Sequence, residues 1–352
     1  MAAGIFAVLQ RFWIGVPLFF VISGYCVTAS ADALRRRGNP GVSFFWRRFR
    51  RIYPPYWAWF ALAATGVFLV EAFLRPGFFA TALVPNPSGL APWQWFGNLT
   101  LTESWRWHVT GGAECAFLSP SWTLCYEEQF YALVGLALLF LRRWFFGALA
   151  LLTGVIIAGL FLFPWLGLRT EGLFLDGQWL MFAAGILVYY ALNYAPPRAT
   201  GWFCLPLGLG ALCAAAPPEQ LLVSRVNGPS LSYLVAFGFA LLILVLRRWD
   251  APLVRARVLR PFRFCGEMCY SLYLVHWPVV TVVGWLFDSL GVNSPAAILL
   301  VTVPACVAGA VGLARGFHLL IERRFLNAGA GSVAGRRANE VEARQPAGVP
   351  SQ

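Results

Sequence analysis

The sequence predicts an all-α polytopic membrane protein, a single bundle of about nine transmembrane helices, and three observations carry that prediction. Of 352 residues, 59% are hydrophobic and only 12% are charged. A soluble domain holds roughly twice that charged share, so the bilayer is the natural solvent for this chain. Apolar runs of about twenty residues recur along its length, the number a helix needs to cross the hydrocarbon layer. The basic residues are all arginine and fall in short runs on alternate connections, as they do in cytoplasmic loops. These features exclude a cytosolic enzyme, a secreted domain and a free nucleic-acid binder. The formal net charge of +12 reads as orientation charge, so no nucleic-acid partner is expected.

The first run covers residues 14–31 and is followed by Arg35, Arg36, Arg37, Arg47, Arg48, Arg50 and Arg51. The second, 55–74, starts at a Pro-Pro step, a residue type suited to a first helical turn. A long stretch, 75–119, almost free of arginine runs, leads to the third span at 120–141, which Arg142 and Arg143 close. The fourth and fifth lie at 144–166 and 172–194, and Arg198 follows. The sixth, 201–216, is short and rich in Gly and Pro, and the seventh, 231–246, precedes a basic stretch over 247–263. The eighth and ninth cover 264–290 and 295–320, with Arg323, Arg324, Arg336, Arg337 and Arg344 beyond.

This alternation puts the N-terminus outside and the C-terminus inside, with one membrane domain over 1–327 and a polar, disordered cytoplasmic tail over 328–352. No basic n-region and small-residue cleavage site marks an export signal. An outside N-terminus this short is explained most simply by one further span upstream of Met1. No internal repeat is visible.

Eight cysteines, Cys26, Cys115, Cys125, Cys204, Cys213, Cys265, Cys269 and Cys306, form no CxxC pair and have no histidine at finger spacing. Neither a disulfide framework nor a metal site is expected. The 16 Trp, 11 Tyr and 30 Phe are accounted for first by interface belts and lipid-facing surface.

Polar and ionisable groups inside lipid are expensive, and three segments concentrate them. In the first, Ser23 and Gly24 allow close backbone approach within a span, and Arg47, Arg48, Arg50 and Arg51 stand framed by aromatics. Four guanidiniums there serve either orientation or a phosphate-rich ligand. The second runs from Ser121 to Tyr131. Glu127 and Glu128 point about 100° apart on a helix, Trp122 and Gln129 align seven apart, and Tyr131 sits one turn beyond Glu127. The carboxylates are either structural or part of general-base machinery. In the third, Cys269, Tyr273 and His276 share a helical face, with Ser271 between them. His276 is either an interhelical hydrogen-bond partner or a base. His108 and His318 read as interfacial, and Cys125 as an inert apolar thiol.

These segments, in this order, resemble the bacterial membrane acyltransferase type-three family, the polytopic O-acyltransferases of surface polysaccharides, lipopolysaccharide, peptidoglycan and small glycosides. The resemblance rests on its FFxxSG element (19–24), its RRxxRIxP element (47–54), its SWSLxxEEQFY element (121–131) and its SYSLYLxHxP element (269–278). An IExxF echo follows at 321–325. Differences are Pro17, Cys125, Tyr126 and Cys269, where the family often has Asp, Ser, Val and Ser.

The resemblance implies ten spans, the first carrying a catalytic His that would lie upstream of Met1. It implies an inner-membrane enzyme moving an acyl group, most simply acetyl, from acyl-CoA as donor substrate to a carbohydrate or glycolipid hydroxyl, with no permanently bound cofactor. Arg47, Arg48, Arg50 and Arg51 would hold the donor's phosphates, Glu128 or Glu127 would orient the base, and His276 with Tyr273 is the alternative base. Ser23, Gly24, Trp122, Gln129, Tyr131 and Ser271 would be substrate-facing or structural. Trp93, Trp95, Trp105 and Trp107 either stack on sugars or anchor at the interface. A sugar-lipid transporter or flippase should show inverted repeats, which are not visible. A non-catalytic, decayed relative is the remaining alternative.

Overall fold

The computed structural model describes residues 14–38, 41–74, 87–196, 198–215, 230–249, 256–292 and 294–326. The expected disordered tail over 328–352 lies outside them. All the secondary structure among the described residues is helical. The helices are α1 (Gly15–Arg36), α2 (Val42–Leu69), α3 (Pro92–Thr100), α4 (Glu103–Thr110), α5 (Ser121–Phe140) and α6 (Phe145–Trp165). There follow α7 (Gln178–Asn193), α8 (Cys204–Ala215), α9 (Ser230–Leu246), α10 (Arg260–Glu267), α11 (Cys269–Ser289) and α12 (Pro295–Phe325).

Each of the nine apolar runs holds helix, and among the described residues five helices are long and apolar enough to cross a bilayer. These are α1, α2, α6, α11 and α12, while α7, α8 and α9 are shorter apolar helices. Run boundaries depart from the sequence reading, and the run at 172–194 is helical only over Gln178–Asn193. Pro54 and Pro55 lie inside α2 instead of opening it. A neighbouring helix supplies that turn with an outside donor, the Tyr270 hydroxyl, on the Ile52 carbonyl at 2.9 Å, which is how membrane helices accommodate proline. The run at 264–290 is broken at Met268 into α10 and α11. The short α10 exposes Arg260 and Arg263 beside Phe262 and Phe264, the composition of an interfacial helix.

Helix α1 is the axis of the bundle, packed on α7, α9 and α5. Its close approach to α7 depends on two glycines. A Cβ on Gly24 would run into the Phe182 carbonyl, and one on Gly185 into the Val21 carbonyl. Small residues at a crossing let two backbones touch, the main source of packing energy where lipid offers no hydrophobic gradient. Helices α11 and α12 pair beside α2, and α8 pairs with α9.

Arginines mark one end of the bundle. Arg142 donates to the Arg35 carbonyl at 2.6 Å and Arg50 to the Arg324 carbonyl at 3.3 Å, so loops far apart in sequence share this Arg end. Here Asp32, fully buried, accepts from Arg35 at 2.8 Å and from the Tyr189 and Tyr194 hydroxyls at 2.9 and 2.7 Å. Arg35 and Arg36 thus neutralise an intramembrane carboxylate in addition to setting orientation.

At the opposite end, α3 and α4 form a folded plug. The last carbonyls of α3 have no helical partners of their own, and α2 provides them. The Tyr56 hydroxyl donates to the Asn98 carbonyl at 2.8 Å, the Trp57 indole to Leu99 at 2.8 Å and the Tyr53 hydroxyl to Thr100 at 3.1 Å.

Candidate active site

Four helices bring the three polar segments together. On α5, Glu127 faces α1 and is buried; the Ser23 hydroxyl donates to one of its oxygens. The Tyr131 hydroxyl, one turn along α5, donates to it as well, and Arg48 and Arg51 of α2 lie within electrostatic reach. Arg48 also lies over the Tyr131 ring at 4.8 Å, a cation–π contact that holds the guanidinium beside the carboxylate. Residues Arg48 and Arg51 are one helical turn apart and share this face, whereas Arg50, about 100° away from Arg51, turns to α12. Arg47 is half-buried, one turn before Arg50.

Glu128 points away from α1 toward α2, where the Tyr53 hydroxyl donates to Oε2 at 3.4 Å. Its Oε1 is buried without a hydrogen-bond partner among the described residues. The two adjacent acids therefore differ: Glu127 accepts from two hydroxyls, and Glu128 retains a free acceptor. A buried carboxylate oxygen without a partner is costly, and such costs are kept where function uses them.

Helix α11 closes the group. Tyr273 bonds the Thr123 hydroxyl at 3.0 Å, donates to the Pro120 carbonyl and stacks on Phe19 at 5.8 Å between ring centres. His276, 6.2 Å from Tyr273 between ring centres, has Nδ1 at 2.7 Å from the Tyr273 carbonyl. A carbonyl only accepts, so Nδ1 carries the proton and Nε2 is left as the basic nitrogen. Among the described residues no hydrogen bond joins His276 to either glutamate. Arg51 also lies within electrostatic reach of Cys269.

Other predicted residues serve as supports. The Gln129 amide donates to the Gly172 carbonyl at 2.9 Å and accepts from the Phe174 amide at 2.9 Å, clamping the 167–177 connection onto α5. Tyr126 adds a bond to Asp176. Trp122 is half-buried, with its ring edge-on to Phe20 at 6.4 Å and Tyr126 at 6.0 Å. Ser271 donates to Glu322, which also accepts from His318 Nδ1 at 2.9 Å. Cys125 is buried. Of the tryptophans, Trp95 packs against Phe60 at 5.7 Å and Trp107 lies flat on His108 at 3.8 Å, while Trp93 is exposed.

Sequence reasoning missed Asp32, Asp176, Glu322 and the buried Glu103–Arg106 pair of the plug. A signal was available for Asp32, Glu103 and Glu322: each has Arg or His three or four residues onward or back. Beside the plug pair, Glu114 has its carboxyl raised above the ordinary range by burial and then by the Glu103 charge, with Arg106 opposing.

A family model described as an acyltransferase domain matches residues 4–315. The chain belongs to the acyltransferase type-three family. It is therefore an acyltransferase, and its apolar helices make it a multi-pass membrane protein. The exopolysaccharide production protein ExoZ of Rhizobium meliloti is 26% identical over 326 residues, 90% of each chain. The putative membrane-bound transacylase BcsY of Komagataeibacter xylinus is 25% identical over 91% of this chain and 78% of its own. The peptidoglycan O-acetyltransferase OatA of Listeria monocytogenes is 25% identical over 84% of this chain and 49% of its own. No solved structure matches the chain at a significant level. In this member of the acyltransferase type-three family, the SWSLxxEEQFY-like segment supplies both carboxylates and the Gln129 clamp, and the FFxxSG segment supplies the bond to Glu127.

Proposed function

We propose that this acyltransferase moves an acyl group, most simply acetyl, from acyl-CoA to a hydroxyl of a cell-surface carbohydrate or glycolipid, with Glu128 taking the hydroxyl proton. The free Oε1 of Glu128, beside a Glu127 that two hydroxyls already hold, is the observation that carries the reading. The names of ExoZ, BcsY and OatA support the acyl-group and glycan classes.

Arg48 and Arg51 bind the donor's phosphates through charge-assisted hydrogen bonds and bring the thioester toward α5. The acceptor oxygen attacks the thioester carbonyl, its proton passes to Glu128, the carbon–sulfur bond breaks, and the proton leaves on the CoA thiol. The Arg51 charge, on the α2 face that Arg48 shares, offsets the negative charge that develops on the oxyanion. Glu127 is a positioning residue that keeps α1, α5 and Arg48 in register. The donor is a substrate, so no resident cofactor is required.

The Arg end faces the cytoplasm of a bacterial inner membrane, and α5, α7, α8 and α9 complete nine crossings with the C-terminus inside. The test is transfer of label from acetyl-CoA carrying a labelled acetyl group to cell-envelope polysaccharide by membranes containing the full chain. Label on the glycan that alkaline hydrolysis releases is the expected result. Glycan without label, from membranes in which the chain is inserted, overturns the proposal.

A further inference from the structure

One hydroxyl joins the plug to the carboxylate site. Tyr53 of α2 reaches the Thr100 carbonyl at 3.1 Å and Glu128 Oε2 at 3.4 Å. A phenol carries a single proton, and hydrogen bonds between oxygens are ordinarily about 2.5–3.0 Å long. The proton is therefore shared, with the larger part on the nearer Thr100. Glu128 is left with a weak donor on Oε2 and, among the described residues, none on Oε1. Each donor added to a carboxylate draws off charge and weakens its hold on a further proton. How Tyr53 divides its proton thus sets how strongly Glu128 acts.

The Thr100 end of α3 is also where the plug is most easily lifted. The Asn98, Leu99 and Thr100 carbonyls lie beyond the helical ladder, and single side chains of α2 hold them: Tyr56, Trp57 and Tyr53. Leu101 follows, buried and with φ at 57°, the one non-glycine residue at positive φ among the described residues. An L side chain rarely adopts that conformation, and lifting the turn relieves its strain. A lifted turn carries the Thr100 carbonyl away from Tyr53. It also opens Glu128 to water from the plug end of the bundle, as a raised lid does.

We infer that Tyr53 is a positioning residue that divides one proton between the plug and Glu128, and that this division keeps water from taking the place of the acceptor hydroxyl. It rests on the reading of Glu128 as the base. With the turn seated, Thr100 holds most of the proton, and Glu128 is free to act on an enclosed hydroxyl. With the turn lifted, the proton passes wholly to Glu128 and blunts it while water is present. The step held down is hydrolysis of the donor. The oxygen of water bonds to the thioester carbonyl carbon and the carbon–sulfur bond breaks. One proton of the water travels by way of Glu128 to the CoA thiol, and the other leaves from the acetic acid formed.

The test uses the full chain in phosphatidylethanolamine–phosphatidylglycerol vesicles and follows acetate released from labelled acetyl-CoA without glycan. Hydrogen exchange at the Thr102 amide, which bonds the Gly97 carbonyl at 2.8 Å, reports lifting of the turn. Tyr53→Phe removes the hydroxyl and keeps the ring on Phe49. Trp57→Phe is the comparison, since it loses the bond to the Leu99 carbonyl, loosens the same end of α3 and leaves Tyr53 in place. Each variant loses one hydrogen bond, so exchange should rise by up to about tenfold in both. Hydrolysis should rise in step with exchange in Trp57→Phe. In Tyr53→Phe, where no donor blunts Glu128, it should exceed the rise in exchange by a further factor of about ten. Hydrolysis that tracks exchange equally in both variants overturns the inference and leaves the role of Glu128 untouched. Excess hydrolysis that persists when Glu128→Gln is added to Tyr53→Phe means that water is activated elsewhere, and overturns the reading of Glu128 as the base together with the inference.

Discussion

Replacing Arg106 with alanine should open the plug formed by α3 and α4, and the cost follows from what the guanidinium leaves behind. Arg106 is 5% exposed and Glu103 1%. The pair is bidentate at 2.8 and 3.0 Å, and the same guanidinium donates to the Gly111 and Ala113 carbonyls at 3.0 and 3.1 Å. In Arg106→Ala the buried carboxylate keeps the Cys115 amide at 2.9 Å as its bond to the plug. Removing one partner of a buried pair costs ~3–5 kcal/mol, because an uncompensated charge remains. At about 1.4 kcal/mol per tenfold, opening of the plug becomes a hundredfold to a few thousandfold more frequent. Hydrogen exchange at the Cys115 and Phe117 amides reads this directly, since Phe117 bonds Asn98 Oδ1 at 2.8 Å within the same plug. The double variant Glu103→Leu with Arg106→Met, which leaves no charge behind, should recover most of the protection. Exchange in Arg106→Ala within about threefold of the parent, or a double variant as labile as the single one, refutes the reasoning.

Three further outcomes are expected. Gly24→Ala should cost about 1–3 kcal/mol or more, because the obstacle is the Phe182 backbone and not a pliable side chain; Gly66→Ala is the neutral control, and the midpoint of thermal unfolding in detergent separates them. Arg48→Gln and Arg51→Gln should each raise the acetyl-CoA KM about tenfold, with smaller effects on kcat, in steady-state transfer assays. Glu114→Gln should stabilise the plug slightly at neutral pH. A raised carboxyl contributes stability that is complete below its unfolded pKa near 4.5 and lost as pH rises through the folded value. Thermal midpoints of the two proteins should therefore converge below pH 4.5, and the gap should be small because solvent screens this partly exposed group.

Much of the architecture was legible because two periodic signals, apolar run length and arginine placement, act on whole helices. Gly24 was legible as a point of close approach, yet its partner Gly185 was not, since a helix pattern shows which face packs but not against what. The carboxylates of α5 were legible because an acid in an apolar run always requires an explanation. Their unequal surroundings depend on Ser23 and Tyr53, which come from other helices and can only be found in three dimensions. Arg35 and Arg36 read as orientation charge, and the burial of Asp32 one turn earlier gives them a second role. His318 read as interfacial and proves to be locked to Glu322, which also holds Ser271. The tryptophan-rich stretch read as an anchor or a sugar platform; Trp95 and Trp107 are engaged internally, because the stretch folds into a plug around its own ion pair.

The central claim is that Glu128 handles the proton while Glu127 holds the site in shape. The measurement that tests it most directly is kcat for acetyl transfer by Glu128→Gln and Glu127→Gln, at matched levels of membrane-inserted protein. The account predicts a fall of about 10²–10⁴-fold in Glu128→Gln with unchanged thermal stability, the range for loss of a general base. In Glu127→Gln it predicts lowered thermal stability together with a raised donor KM. Turnover in Glu128→Gln equal to that of the parent protein contradicts the account.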